Sequence, residues 1–406
     1  MPNIMFGRGT RFGKCRFAGS VLQIAGVRID YPYIDNCFSV TFFSPHGTKT
    51  AILSSVRKDS PVLSLSFELA QTGCAGFTLE LAKDHGVDIY YGQRVDISLF
   101  GSSQPWYSGY IQTKPVAGTT EATFTYTGYG FYGQLEHVIV NREYTEREIS
   151  EIAADIIRED IDRYTGAHYN ESKIYPTGYT ASQLSFDYAT AKDALKQLSE
   201  FAVNYLYGVD EYRDIFFRPM LTRINEDSRL WVGYHIQKFL PEEDVETVVN
   251  YIYVQGGALD DEGSNIMYQC SDADSIAAYG KRAAVLSIPS AIREEDATRW
   301  GDTQLDRLKD PQRTAKIDTI AKEIARRNIR PEGMARITSG DGSFSYDYPI
   351  QKVKYKASGK GIIMTMELGE YTKDYDTYML KILRDVKNEE LLSRANTKAI
   401  VTGDES

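Results

Sequence analysis

The sequence predicts an α+β, β-rich fold in which two small antiparallel β units, each a sandwich or barrel, carry helical insertions. Three observations lead there. Apolar residues alternate with period two over several short runs, the period lengthens to about 3.6 in the stretches between them, and tyrosine is frequent, 29 against 17 phenylalanines. Tyr-rich alternating runs at 123–126 and 251–254 place amphipathic rings on a pleated, half-buried surface. Such a sheet suits cover by another subunit or by a sugar.

Residues 1–60 read as an N-terminal arm with extra strands, Gly-rich and basic at first and ending near Asp59-Ser60-Pro61. Residues 61–140 read as the first β unit, a small sandwich or barrel. There Leu63, Leu65, Phe67 and Leu69 share a face, followed by Phe77, Leu79 and Leu81, by Val95, Ile97 and Leu99, and by Ala122, Phe124 and Tyr126. Glycines at 73, 76, 86, 101 and 118 supply the turns. Residues 141–205 form a helical insert. Thr145 and Glu148 make a capping box, and Ile149, Ile152, Ala153, Ile156 and Ile161 predict a helix over 145–164. A second helix starts at Thr190 with Asp193 three residues on, and ends by Gly208. Residues 205–209 and 213–219 then form a hairpin across Asp210-Glu211.

Residues 206–375 read as the second β unit, with strands at 248–254, 350–356 and 361–368. Its own helical insertion spans 294–328: Trp300, Leu305 and Leu308 make one stripe, Ile317, Ile320, Ala321 and Ile324 another, and Pro311 separates them. Residues 376–406 form a C-terminal helix and tail, with Met379, Leu380, Leu383 and Val386 on one side. Two β units of similar size raise the prospect of an internal repeat.

With 46 Lys+Arg against 56 Asp+Glu, the 406-residue chain carries a net charge of −10, which argues against a general DNA coat. Four widely spaced cysteines, Cys15, Cys37, Cys74 and Cys270, with no CxxC pair, point away from a disulfide framework and towards a reducing compartment. No run of 18 apolar residues occurs, so no helical membrane span is expected. The apolar stretch after Arg8, Arg11, Lys14 and Arg16 is broken by Gly19, Ser20, Gln23 and Gly26, unlike a secretory leader.

The search for chemistry assigns no catalytic, cofactor-binding or metal-ligating residue, no cofactor and no interface residue. Gly128-Tyr129-Gly130-Phe131-Tyr132-Gly133 is a literal GxGxxG, but its variable positions are bulky and its downstream acids, Glu148 and Glu151, lie on a helical stretch. Bends in an aromatic strand fit it better. His46, His85, His137, His168 and His235 are scattered. Asp272 and Asp274 begin like a calcium loop, yet Ala277 replaces the turn glycine, so helix capping is the simpler role. Arg326, Arg327 and Arg330 suit a helix end better than a phosphate site. No GxSxG elbow occurs.

Several stretches together carry a resemblance. Tyr91-Gly92-Gln93-Arg94-Val95-Asp96-Ile97, then Trp106-Tyr107-Ser108-Gly109-Tyr110-Ile111, then Phe124-Thr125-Tyr126-Thr127-Gly128-Tyr129 resemble the first barrel of phage tail hub proteins. Ala194-Leu195-Lys196-Gln197-Leu198 with the hairpin at 207–219 resembles that family's helix and the strand after it, and Asn250-Tyr251-Ile252-Tyr253-Val254-Gln255-Gly256-Gly257, then Asp274-Ser275-Ile276-Ala277-Ala278-Tyr279-Gly280-Lys281-Arg282, resembles its second barrel. The family is shared with the hub part of type VI secretion spikes, and the likeness spans about residues 60–385.

What the resemblance implies is a non-enzymatic virion component at the tail tip or baseplate, made in the bacterial host cytoplasm. It implies a homotrimer whose two small antiparallel, tube-like β-barrel units per chain, with their helical insertions, make a pseudo-six-fold ring joining tail tube or distal tail proteins to tip, spike or fibre proteins. Genomic DNA would pass through its lumen without sequence recognition, and an acidic lumen would repel it. Residues 1–60 match nothing in the family. No added lysozyme or needle segment is read in the chain, so wall degradation is expected from another protein. Two other classes fit a β-rich aromatic chain: a carbohydrate- or host-surface-binding tail protein, and a tail-associated peptidoglycan hydrolase.

Overall fold

The computed structural model describes residues 22–24, 27–29, 37–55, 60–116, 121–258, 265–288, 293–319, 324, 326–358 and 361–369. The expected basic arm before residue 22 and the C-terminal helix and tail at 376–406 lie outside the described residues. The chain is strand-rich. A ribbon of β1 (Leu22–Ile24) and β2 (Val27–Ile29) precedes β3 (Phe38–Phe43), β4 (Lys49–Ser54), β5 (Val62–Ala70), β6 (Gly73–Ala82), β7 (Arg94–Leu99), β8 (Tyr107–Thr113) and β9 (Thr123–Gly130). The insert holds β10 (Ile139–Glu148), α1 (Ile149–Ile156), β11 (His168–Ile174), β12 (Thr180–Thr190), α2 (Ala191–Ala202), β13 (Tyr205–Val209) and β14 (Asp214–Pro219). Next come β15 (Ile224–Trp231), β16 (Ile236–Asp244), β17 (Tyr251–Ala258), β18 (Asn265–Ser271), α3 (Ala273–Tyr279), β19 (Ala283–Ser287) and α4 (Glu294–Leu308). The last strands are β20 (Gln312–Thr319), β21 (Met334–Thr338), β22 (Ser345–Ser358) and β23 (Gly361–Leu368).

The alternating runs form strands, as the period-two pattern requires, but the two β units are not separate. Strands follow the path β16-β20-β23-β22-β5-β6-β9-β8-β7-β3-β4, joined in the middle where β22 pairs with β5. Among the described residues no sheet closes into a barrel, which corrects the expectation of two barrels. The physical reason is that β5 and β22 spend their hydrogen bonds on each other. One hydrophobic core runs beneath both halves, from Val40, Phe67 and Leu79 to Ile317, Ile350 and Tyr355.

The two halves are a topological repeat. The neighbours β5-β6-β9-β8-β7 and β16-β20-β23-β22-β21 have the same chain order and are antiparallel throughout. Their registers superimpose except after Phe67, where β6 carries an extra residue (Phe67 opposes Phe77, Leu69 opposes Cys74) that β20 lacks. Glu80 pairs with Ser64 and Thr125 as Asp318 pairs with Lys238 and Thr365. Ile111 opposes Gly128 as Ile350 opposes Leu368. Two other irregularities coincide: the register slips between Val62 and Ser64 and between Ile111 and Thr113, and correspondingly between Ile236 and Lys238 and between Ile350 and Lys352. Matching bulges at matching places mark a duplicated unit, because bulges are built features of a sheet.

The insert departs from expectation at its start. Thr145 lies in β10, paired with Gln183 of β12, and α1 begins only at Ile149. The helix cap is Glu148 itself. Its carboxylate accepts from the backbone N–H groups of Ser150 (2.7 Å), Glu151 (3.1 Å), Thr177 (2.8 Å) and Gly178 (3.1 Å), and from the Ser150 and Thr177 hydroxyls. A carboxylate satisfies these orphan donors more fully than a Thr145 hydroxyl can. The second helix matches the sequence reading: Thr190 caps α2 by accepting from the Asp193 N–H at 3.1 Å.

Burial pushes the Glu148 carboxyl up, but the donors from Ser150, Thr177 and Glu151 outweigh it and hold it below the ordinary carboxylate range. A pKa lower in the folded than in the unfolded chain contributes stability above the unfolded value, about 4.3. That contribution is lost as pH falls through the unfolded and then the folded pKa. Glu148→Gln should therefore cost about 1.5–3 kcal/mol at neutral pH, with the gap to the natural chain narrowing below about pH 4. Urea titrations at several pH values check this, and a pH-independent gap would refute it.

The stretch after Pro311 is a second correction. Instead of a helix, Gln312–Thr319 forms β20, with Ala315, Ile317 and Thr319 buried on one face between β16 and β23. Ile317 satisfies period two as well as the helical period, and two flanking strands decide its place, while Ile324 and Arg326 farther on are helical as expected. The helix before Pro311 is present as α4, with Trp300 and Leu305 buried. The true insertion in the second half is residues 245–311, which leave and return where Asp244 pairs with Gln312. It has its own sheet, β18-β17-β19, packed on α4 around Ile252, Val254 and Trp300. Asn250 closes it: its amide donates to Gly280 O at 2.8 Å and accepts from the Arg282 N–H at 2.7 Å.

Candidate functional site

The seam between the repeats is where the fold places its most specific chemistry. β22 and β5 pair from Lys352 opposite Ala70 to Ser358 opposite Ser64, so alternate residues divide into two faces. On the core face Phe67 stacks on Tyr355 with centroids 5.2 Å apart, and Trp106 meets Tyr355 edge-on at 5.4 Å. Tyr355 is buried, its hydroxyl donates to Ile329 O at 3.1 Å, and burial pushes its phenol pKa well up. On the outer face Lys354 Nζ lies 2.8 Å from Glu68 and Lys352 lies 3.7 Å from it. The Ser64 hydroxyl donates to Glu80 at 2.9 Å.

That outer face continues across the neighbouring strands as Thr78, Thr125 and Thr127 on one side and Glu367, Thr365, Lys316 and Asp318 on the other. It is hydroxyl-rich, and its cations alternate with carboxylates.

Behind the seam the β5–β6 turn, the β13–β14 turn and the segment before β21 enclose a cleft of about 110 Å³ lined by Gln71, Cys74, Lys173, Asp210, Glu211, Arg218, Arg330 and Glu332. Three ion pairs cross it: Lys173 with Asp210 at 2.5 Å, Arg330 with Glu211 at 3.2 Å and Arg218 with Glu332 at 2.6 Å. Arg330 also donates to Trp106 O at 2.8 Å. Burial raises the Glu211 pKa, with the Arg330 guanidinium pulling it back only in part. Burial likewise pushes the Cys74 thiol up to about 12, which leaves it unreactive. A more apolar pocket of about 190 Å³ adjoins, lined by Leu206, Met220, Leu221, Met334 and Pro349 among others. The arrangement ties three chain segments together by charge.

The sequence motifs find structural roles. A Cβ on Gly128 would stand 2.0 Å from Tyr110 O, and one on Gly130 2.0 Å from Cys74 O, so close strand packing demands both glycines. Residues 131–137 continue as a tight 3₁₀ turn. Asp272 caps α3 by accepting from the Ser275 N–H at 2.9 Å. Arg327 donates to Asp227 O at 3.0 Å, and Arg326 lies over the Phe100 ring. Among the described residues no three His, Cys, Asp or Glu side chains gather at metal-binding distance. The segment at 250–257 and the helix after it, expected in the second barrel, lie instead in the insertion and in neither repeat, because β17 pairs with β18 and β19 in a sheet of their own. The motifs at 91–97, 106–111 and 124–129, by contrast, fall together on β7, β8 and β9. Phe67 and Leu69 were legible as one strand face. Their partners Tyr355 and Val353, nearly 290 residues away, left no local signal.

No protein-family model and no curated protein sequence matches the chain. Solved structures do. The 43 kDa tail protein of prophage MuSo2 from Shewanella oneidensis aligns with TM-score 0.60 at 12% identity, over 82% of this chain and 98% of that one. Prophage tail protein gp18 from Listeria monocytogenes EGD-e gives 0.56 at 14%, over 87% and 99%. A tail protein from Neisseria meningitidis MC58 gives 0.57 at 11%, over 82% and 97%.

Proposed function

We propose, from a fold shared with prophage tail proteins, that this chain is a structural component of a phage tail and acts as a trimeric hub at the tail tip or baseplate. The observation that carries the reading is the duplication. Two matching five-strand units in one chain let three copies present six similar units, which reconciles a three-fold tip with a six-fold tube. The two units would be the tube-like parts of the ring, each flanked by an insertion, with tube or distal tail proteins on one side and tip, spike or fibre proteins on the other.

The outer face across the seam is the surface suited to line a passage for DNA. It interleaves Lys316, Lys352 and Lys354 with Glu68, Glu80, Asp318 and Glu367, so it offers neither the basic wall that would hold phosphates nor the acidic wall read from net charge alone. Within this reading the chain supplies no catalysis.

Light scattering after size exclusion, over a range of concentrations, tests the proposal. A species near three times 45.8 kDa is expected, with a central opening in electron micrographs. A monomer at every concentration would count against it.

A further inference from the structure

Inside the chain, the fourth strand of the second repeat, β22, pairs with the first strand of the first repeat, β5. The equivalent strands of the opposite repeats are β8 and β16. Among the described residues β16 pairs with no strand but β20, apart from one bridge of Ile236 to Val232, and β8, held between β7 and β9, has no backbone partner on its β7 side beyond the bonds of Ile111 with Gly92 and Gln93. We propose that β16 of one copy pairs with residues 113–116 at the end of β8 of a second copy, repeating between chains the joint that β22 and β5 make within one. This rests on the trimer reading and specifies its interface.

The alignment follows from the repeat because the slip after Phe67 places its extra residue on β6, leaving β5 in regular pairing with β22. Lys352, Val353, Lys354 and Tyr355 oppose Ala70, Leu69, Glu68 and Phe67. Through the repeat they correspond to Thr113, Lys114, Pro115 and Val116 opposing Asp244, Glu243, Glu242 and Pro241 of the second copy.

The chemistry at those positions agrees. Lys114 falls opposite Glu243, and Val116, 75% exposed in the single chain, falls opposite Pro241 where Tyr355 meets Phe67 inside. The edge of β16 is acidic, from Glu242 to Asp244, and the opposing segment carries Lys114 and no carboxylate. Two prolines in successive pairs leave the ladder one hydrogen bond short of the internal joint, which suits protomers that fold first and assemble afterwards. The contact is heterologous, and alternating it with the internal seam closes a ring in which neither edge stays open.

Cysteine pairs test this directly. A Lys114→Cys/Glu243→Cys chain, and separately a Thr113→Cys/Asp244→Cys chain, should oxidise to covalent dimer and trimer on a denaturing gel, and each single variant should not. Lys114→Glu should weaken the trimer about tenfold or more, and Lys114→Glu/Glu243→Lys should restore it. A trimer in solution that forms neither cross-link, or that ignores the charge swap, overturns the interface and leaves the hub reading standing. A strict monomer overturns both.

Discussion

Replacing Tyr355 by alanine will destabilise the chain by about 4 kcal/mol, the cost of removing a large aromatic from a packed core. The site is well placed for a large loss. The ring touches Phe67 from the first repeat and Trp106 from the loop before β8, and its hydroxyl serves the Ile329 carbonyl. The cavity would open on the line where the repeats meet, so neither half could close it by moving alone. Tyr355→Phe separates the two contributions: it keeps the stack and strands one buried carbonyl, costing about 1–3 kcal/mol. Equilibrium denaturation of both variants decides, and equal losses would mean that the hydroxyl, not the packing, holds the seam.

Legibility followed the range of each interaction. Strand alternation at Leu65, Phe67 and Leu69 and the cap at Thr190 with Asp193 are local, and both were readable. The failures lie where a distant partner overrode a local pattern. Thr145 with Glu148 is a valid capping pattern, but β12 draws Thr145 into a strand and Thr177 brings its own donors to Glu148. Ile317 fits a helical stripe and a strand face equally well, and only β16 and β23 choose between them. The segment at 250–257 reads as strand correctly, but its sheet is a private one.

The duplication shows the same limit from the other side. Corresponding positions such as Phe67 and Pro241, or Lys352 and Thr113, share no chemistry that comparison of letters would detect. What is retained is most of the register: which residue opposes which, and where two of the ladders slip, with the slip after Phe67 peculiar to the first repeat. Backbone pairing tolerates side-chain replacement as long as the inward and outward alternation survives, so a repeat invisible as sequence persists as geometry. It is also why an interface between chains can be inferred from a seam within one.

Gly73→Ala should be the most damaging single-methyl change in the described fold. Gly73 begins β6 at φ +102°, where an L side chain is strained, and an added Cβ would stand 1.8 Å from Val209 O. That oxygen belongs to β13 of the insert, whose Val209 N–H donates to Thr72 O at 3.0 Å. The methyl group therefore meets backbone on the path that docks the insert to the first repeat, and rotamer changes cannot relieve it. Strain of this kind costs about 1–3 kcal/mol by itself, and displacing the turn adds the loss of the ion pairs that Asp210 and Glu211 make with Lys173 and Arg330. A total loss of about 4 kcal/mol or more is expected. Gly47→Ala is the control, because it has a similar φ of +77° with nothing within 4 Å of the added carbon. Hydrogen exchange should show β13 and β14 losing protection in the Gly73 variant while β22 and β23 keep theirs. Uniform loss across all strands would mean instead that insert and repeats unfold as one unit and that the turn is not the joint between them.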